Sequence, residues 1–210
     1  MGSLLSNPEQ LVKLEEEWES EKCKTEELIS GKAFYVRHLL SGEECKRFRD
    51  LMELNSEKVE ELGSSEEDYQ YRNRLVCPQQ MAMDQLWSRL EGVMKEENLL
   101  QLKGLDGHNW SAVGLNEMVR LARYGLGGRF GAHCDTSFSR SVQERSWFTV
   151  SCVKHCETLS NICKVNMYLN TVPVEAEGAT VFLSRLHTSL LIFFFHLASS
   201  WILFLKPART

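Results

Sequence analysis

A chain of 210 residues, 43% hydrophobic and 10% aromatic, is long enough to bury one substantial core and too apolar to be disordered throughout. Its formal charge of −5 is unevenly placed: residues 1–70 carry 18 acidic and 9 basic side chains, which argues against nucleic acid as the main partner. Seven cysteines, odd in number and irregularly spaced, do not make a disulfide framework, and without an N-terminal apolar leader they point to a reducing, cytoplasmic setting.

The first residues, Met1-Gly2-Ser3-Leu4-Leu5-Ser6, fit the loose pattern for N-myristoylation, although an ordinary leader is the simpler reading because one acyl chain anchors weakly. Leu11, Leu14 and Trp18 within a dense run of Glu and Lys predict an amphipathic, solvent-facing helix over residues 8–30, so that 1–30 forms a charged N-terminal helix. Gly31 ends it, and Ala33-Phe34-Tyr35-Val36-Arg37 suits a strand. Ser41-Gly42-Glu43-Glu44 has the form of a capping box: the serine hydroxyl accepts from the third helical amide and Glu44 reaches back to the cap. A helix over about 42–54 follows.

Glu60 to Asp68 is acidic, contains Gly-Ser-Ser and lacks apolar periodicity, which predicts a mobile loop. Met83, Leu86, Leu90 and Met94 recur at helical spacing and predict a core-facing helix over about 80–95. A polar connection is expected between Leu99 and Trp110. From Asn116 onward the pattern changes to short strands separated by glycine turns, at about 118–124, 129–135, 147–150, 165–170 and 179–183. Helices first and strands afterwards suggest α+β, with a double-stranded β-helix of the jelly-roll or cupin kind as the core.

The most informative stretch is Gly114 to Thr136, GLNEMVRLARYGLGGRFGAHCDT. In an extended chain alternate side chains share a face, so His133 and Asp135 project together while Cys134 points away. One imidazole beside one carboxylate can hold a metal ion, although a lone His-x-Asp is as often a pair of polar residues on a surface strand. Around it stand Tyr124-Gly125-Leu126-Gly127-Gly128-Arg129-Phe130, then Glu144-Arg145-Ser146, Tyr168-Leu169-Asn170 and Glu177-Gly178-Ala179-Thr180-Val181-Phe182. Over residues 33–183 this order of blocks resembles the prolyl 4-hydroxylase alpha-subunit branch of the Fe(II)/2-oxoglutarate dioxygenases.

The resemblance implies a non-haem Fe(II) centre in which two histidines and a carboxylate leave room for 2-oxoglutarate and O2. It implies hydroxylation of a peptide or protein substrate, such as a peptidyl proline, release of succinate and CO2, and L-ascorbate as the reductant of stray Fe(III). His133 and Asp135 match the first two metal ligands. Tyr124 and Tyr168 match tyrosines that bind 2-oxoglutarate in the family, and each has a plain alternative as an aromatic packed under a sheet. Arg145 could equally be a surface residue and is left unassigned.

Two departures bear on activity. Residues 151–165, SCVKHCETLSNICKV, interrupt what the family runs as one strand from ERS into YLN, and must bulge out or break the pairing. Cys152, His155, Cys156 and Cys163 in this insert invite a zinc reading, but their spacing falls short of a compact four-ligand site. The C-terminal stretch 184–210 is atypical: SRLHTSLLIFFFHLASSWILFLKPART lacks the glycines and charges expected around the third ligand. His196 and Lys206 have the ten-residue offset of the family's third histidine and its basic partner for 2-oxoglutarate, and His187 fits less well. The apolar run 190–205 is shorter than a membrane span, so a strand pair or a loose tail is expected, and membrane association is the alternative to a cytoplasmic chain. A catalytically silent, truncated variant that acts only by binding is the rival to an active dioxygenase.

Overall fold

The computed structural model describes residues 11–19, 23–29, 33–65, 67–103, 109–131, 164–166, 169–170, 179–186, 189–196 and 200–207. Two helices and a set of antiparallel strands make a mixed α+β fold, the predicted class, but four strands precede the second helix instead of following the helices. Strands β1 (Lys24–Ile29) and β2 (Ala33–Arg37) form a hairpin, followed by α1 (Gly42–Leu54), β3 (Glu60–Leu62), β4 (Gln70–Pro78) and α2 (Gln80–Glu96). Then come β5 (Gln101–Lys103), β6 (Asn109–Leu115), β7 (Met118–Arg123), β8 (Arg129–Phe130), β9 (Lys164–Asn166), β10 (Ala179–Leu186), β11 (Ser189–His196) and β12 (Ser200–Pro207).

The main sheet has the order β3-β4-β7-β12-β6-β5, with β8 on β4 and β9 on β12; β10 and β11 form a separate hairpin. Its pleat decides what is buried. Leu75 and Cys77 alternate inward on β4, Val119 and Leu121 on β7, and the register sets Leu75 opposite Leu121 and Cys77 opposite Val119. These residues join Trp110, Ala112 and Leu115 of β6 and close over the apolar faces of α1 (Phe48, Leu51) and α2 (Met83, Leu86, Leu90) in one core. On the opposite face of the sheet Val76, Val113 and Met118 are each more than a third exposed.

Both predicted helices are present, and the capping box at Ser41 is formed in both directions. The charged segment at the N-terminus is a correction. In place of a helix over 8–30, residues 11–18 are non-helical and 24–29 form β1. Val12 and Leu14 are buried with the exposed Lys13 between them, a period-two pattern that a helix cannot produce. The backbone amides that a helix would satisfy internally are met by side chains of the fold: Val12 N–H donates to Gln79, Leu14 N–H to Gln85 and Glu15 N–H to Glu44.

Residues 60–68 also differ from expectation, since Glu60–Leu62 pairs with β4 and only the following turn, tied by the Asp68 carboxylate to the Ser64 and Ser65 amides, is irregular. Strands β4 and β6 fall where no strand was predicted. The apolar C-terminal stretch does form strands, but each takes another partner: β11 lies on β10, whereas β12 lies against β6, β7 and β9. Of the 151–165 insert, Lys164 and Val165 belong to β9, and the remainder lies outside the described residues. Among the described residues no helix is long and apolar enough to cross a membrane.

Candidate functional site

The approach to His133 is built by an irregularity in one ladder. β4 pairs with β7 from Pro78 to Asn73 and then with β8 at Tyr71 and Gln70. Tyr71 and Asn73 are two positions apart, but their partners Arg129 and Arg123 are six apart, so four additional residues are extruded from the strand facing β4. Five residues, Tyr124 to Gly128, thus stand opposite the single residue Arg72, where a regular ladder would set one. This segment is held as a turn by the Gly128 amide donating to the Gly125 carbonyl, and Gly127 adopts a φ of 70° that disfavours any side chain. Insertions of this kind re-aim side chains locally and loosen the ladder beside them.

Arg72, on β4 opposite the extrusion, is where the two sides meet. Its Nη1 donates to the Tyr124 hydroxyl at 3.0 Å and its Nη2 to Gln70 Oε1 at 3.0 Å. The guanidinium carbon lies 3.8 Å from the centre of the Phe130 ring and 5.8 Å from that of Tyr124. Phe130 in turn meets Tyr69 edge to face at 5.7 Å, and the Gly131 amide donates to the Tyr69 carbonyl, so the chain is held in place up to the last described residue of this segment. The Arg72 Nε is buried without a hydrogen-bond partner. A cavity of about 160 Å³ opens here, with Glu61, Gly63, Arg72 and Gly125 in its wall.

Gly63 shapes that wall. Its φ is +82° and a methyl group on it would stand 1.8 Å from the Gln70 carbonyl oxygen, a backbone atom that cannot swing away. Gly63→Ala is therefore expected to separate β3 from β4, with a loss of at least about 1–3 kcal/mol from the backbone conformation alone. Chemical denaturation of the variant checks this; a midpoint equal to that of the parent would mean that the turn relaxes freely.

The predicted site residues fare differently. Tyr124 is half-buried, and its hydroxyl accepts a hydrogen bond from Arg72. His133, Asp135 and Tyr168 lie outside the described residues, although Leu169, next to Tyr168, is buried in the core and its carbonyl accepts from Arg49 on α1. His196 is the last residue of β11, in register with Ala179. Lys206 is opposite Ser111 on β6, whereas Ser200, at the other end of β12, is opposite Arg120 on β7. Tyr124 lies beyond Arg120 in the opposite direction, which separates it from Lys206 by about 33 Å along the strands.

Sequence reading missed Arg72. It belongs to a strand whose outer half, Gln70 to Arg74, is polar, so the alternation that betrays β4 is confined to Leu75 and Cys77. Cys152, His155, Cys156 and Cys163 lie outside the described residues, as do residues 1–6. Burial pushes the Cys23, Cys45 and Cys77 thiols above their ordinary range, keeping all three protonated at neutral pH. Among the described residues no group of three or more His, Cys, Asp or Glu side chains gathers. No family model, no curated protein and no solved structure matches this chain.

Proposed function

We propose that the chain is an Fe(II)- and 2-oxoglutarate-dependent dioxygenase of the prolyl 4-hydroxylase type, hydroxylating a peptidyl proline or another substrate with O2 and releasing succinate and CO2. The observation that carries this reading is the Tyr124 hydroxyl, fixed by Arg72 at an extrusion of the sheet nine residues before His133. A phenol that accepts from a guanidinium keeps its own hydrogen available, so Tyr124 can donate to a carboxylate oxygen of 2-oxoglutarate. His133, as neutral imidazole, and Asp135, as carboxylate, hold the metal, with His196 as the candidate third ligand and Tyr168 as a second phenol for the co-substrate. Fe(II), when bound and kept reduced with the help of L-ascorbate, supplies the oxidising chemistry; the protein orients the reactants and excludes water. The eight-stranded sheet is one wall of a jelly roll, and the exposed Val76, Val113 and Met118 line the side that faces its interior.

Anaerobic addition of Fe(II) and 2-oxoglutarate is expected to produce a visible charge-transfer band, and exposure to O2 to release succinate even without a protein substrate. A folded protein, verified by circular dichroism, that gives neither signal belongs to the second reading, a silent variant that acts by binding. The register of Lys206 favours that alternative, because it sets the candidate basic partner of 2-oxoglutarate far along the strands from Tyr124.

A further inference from the structure

We infer that Ser65, in the turn between β3 and β4, is an acceptor for an acidophilic protein kinase, which reads the acids that follow it and transfers a phosphoryl group from ATP to its hydroxyl. Residues 59–71 carry five Asp and Glu and no Lys or Arg. Acids stand at both the second and the third position after Ser41, Ser64 and Ser65, and after no other serine or threonine of the chain; Ser65 adds a third acid at the first position. By spacing alone Ser41 and Ser64 are equivalent, and the fold separates them. The Ser41 hydroxyl accepts from the Glu44 amide at 3.2 Å, and Glu44 is 1% exposed and paired with Arg89, so acceptor and acid are both committed within the fold. Ser64, Ser65 and Glu67 are exposed, on a turn whose described residues belong to no strand. The Asp68 carboxylate accepts from the Ser64 and Ser65 amides, which holds its charge beside the acceptor and its carboxyl below the ordinary range. A phosphoserine carries about −1.5 to −2 charges at neutral pH, so a phosphate on Ser65 repels the carboxylate that ties the turn together. Glu61 and Gly63, where the chain enters this turn, stand in the wall of the cavity beside Arg72, and phosphorylation loosens that wall.

In the transfer, Ser65 Oγ bonds to the γ-phosphorus of ATP as the bond from that phosphorus to the β–γ bridging oxygen breaks. ADP leaves with the electron pair, and the seryl proton passes to the carboxylate base of the kinase. Recognition is by charge: a basic substrate cleft on the kinase meets Glu66, Glu67 and Asp68. The full chain is incubated with Mg2+, ATP and a purified acidophilic serine kinase, in parallel with a basophilic one, and the phosphate is located by tandem mass spectrometry. The acidophilic kinase is expected to modify Ser65 and leave Ser41 unmodified, and the basophilic kinase to leave residues 64–65 unmodified. Ser65→Ala is expected to remove the main site. Asp68→Asn is expected to slow transfer to Ser65 by about tenfold, the worth of one charge in contact; Glu67→Gln, which leaves the Asp68 hydrogen bonds in place, gives the same test if Asp68→Asn opens the turn. Amide exchange over residues 60–65 is expected to be faster in the phosphorylated chain. Absence of phosphate at Ser65, equal modification of Ser41, or equal rates with the two kinases overturns the inference, and unchanged amide exchange overturns the effect on the cavity wall.

Discussion

Replacing either His133 or Asp135 by alanine is expected to abolish retention of Fe(II), while Cys156→Ala leaves it at the level of the parent. The reasoning is one of donor count. The proposed centre draws two protein ligands from the tripeptide His133-Cys134-Asp135 and a third from elsewhere, so each loss removes a bond to the metal itself. Losing an outer-shell partner of a metal ligand costs roughly 10–100-fold in affinity, and losing the ligand costs more. Cys134 is not expected to replace a lost imidazole, because neighbouring side chains of an extended segment project to opposite faces. Iron retained after gel filtration, assayed with a chromogenic chelator, reads the result directly. Iron held by either alanine variant at the level of the parent would place the metal elsewhere, and loss of iron in Cys156→Ala would move attention to the insert.

Arg89→Ala is expected to cost about 3–5 kcal/mol of stability. Arg89 of α2 and Glu44 of α1 form an ion pair at 2.8 Å with 5% and 1% of their side chains exposed. The arginine also donates to the Leu39 and Glu15 carbonyls, and the carboxylate accepts from the Ser41 and Glu15 amides. Two helices and the N-terminal segment are thus joined at one charge pair. Removing the arginine leaves a buried carboxylate with its amide donors but without its cation. For that reason Arg89→Met with Glu44→Gln should lose less than the sum of the two single replacements, as double-mutant denaturation curves would register.

The same pair makes stability depend on acid. Burial pushes the Glu44 carboxyl up, but the hydrogen bonds from Arg89, Ser41 and Glu15 outweigh it and hold the folded carboxyl below its ordinary range. An unfolded glutamate titrates near 4.3, so the unfolded chain takes up a proton where the folded one does not. The contribution is complete above about pH 5 and disappears as the pH falls through the folded value. Denaturation midpoints of parent and Glu44→Gln should accordingly converge in acid; a constant difference between them at every pH would remove Glu44 as the source.

Much of the helical half is legible without coordinates. Ser41 and Glu44 cap α1 through local hydrogen bonds, and the Met and Leu stripe of α2 needs only a core on one side, so both follow from neighbours within a few positions. Glu44 is the exception inside α1: its role as a cap could be read, but its second role as the buried partner of Arg89, 45 residues away, could not. The N-terminal segment misled for a related reason. Leu11, Leu14 and Trp18 carry helical spacing, and only the presence of Gln79, Gln85 and Glu44 to receive its amides makes the extended form of Val12 and Leu14 better.

By itself the amino-acid sequence determined the two helices and the strands at Ala33–Arg37 and Met118–Arg123, and it nominated His133, Asp135 and Tyr124 as donors. Each of these depends on the identity of a residue and on spacings of a few positions. Only the tertiary structure decided the pairing of β12 with β6 and β7, the four-residue extrusion opposite Arg72, and the meeting of Arg72 with Tyr124 and Phe130. Those depend on which strand lies beside which and in what register, and register is set by the burial of side chains far apart in the chain, Leu75 against Leu121 and Cys77 against Val119.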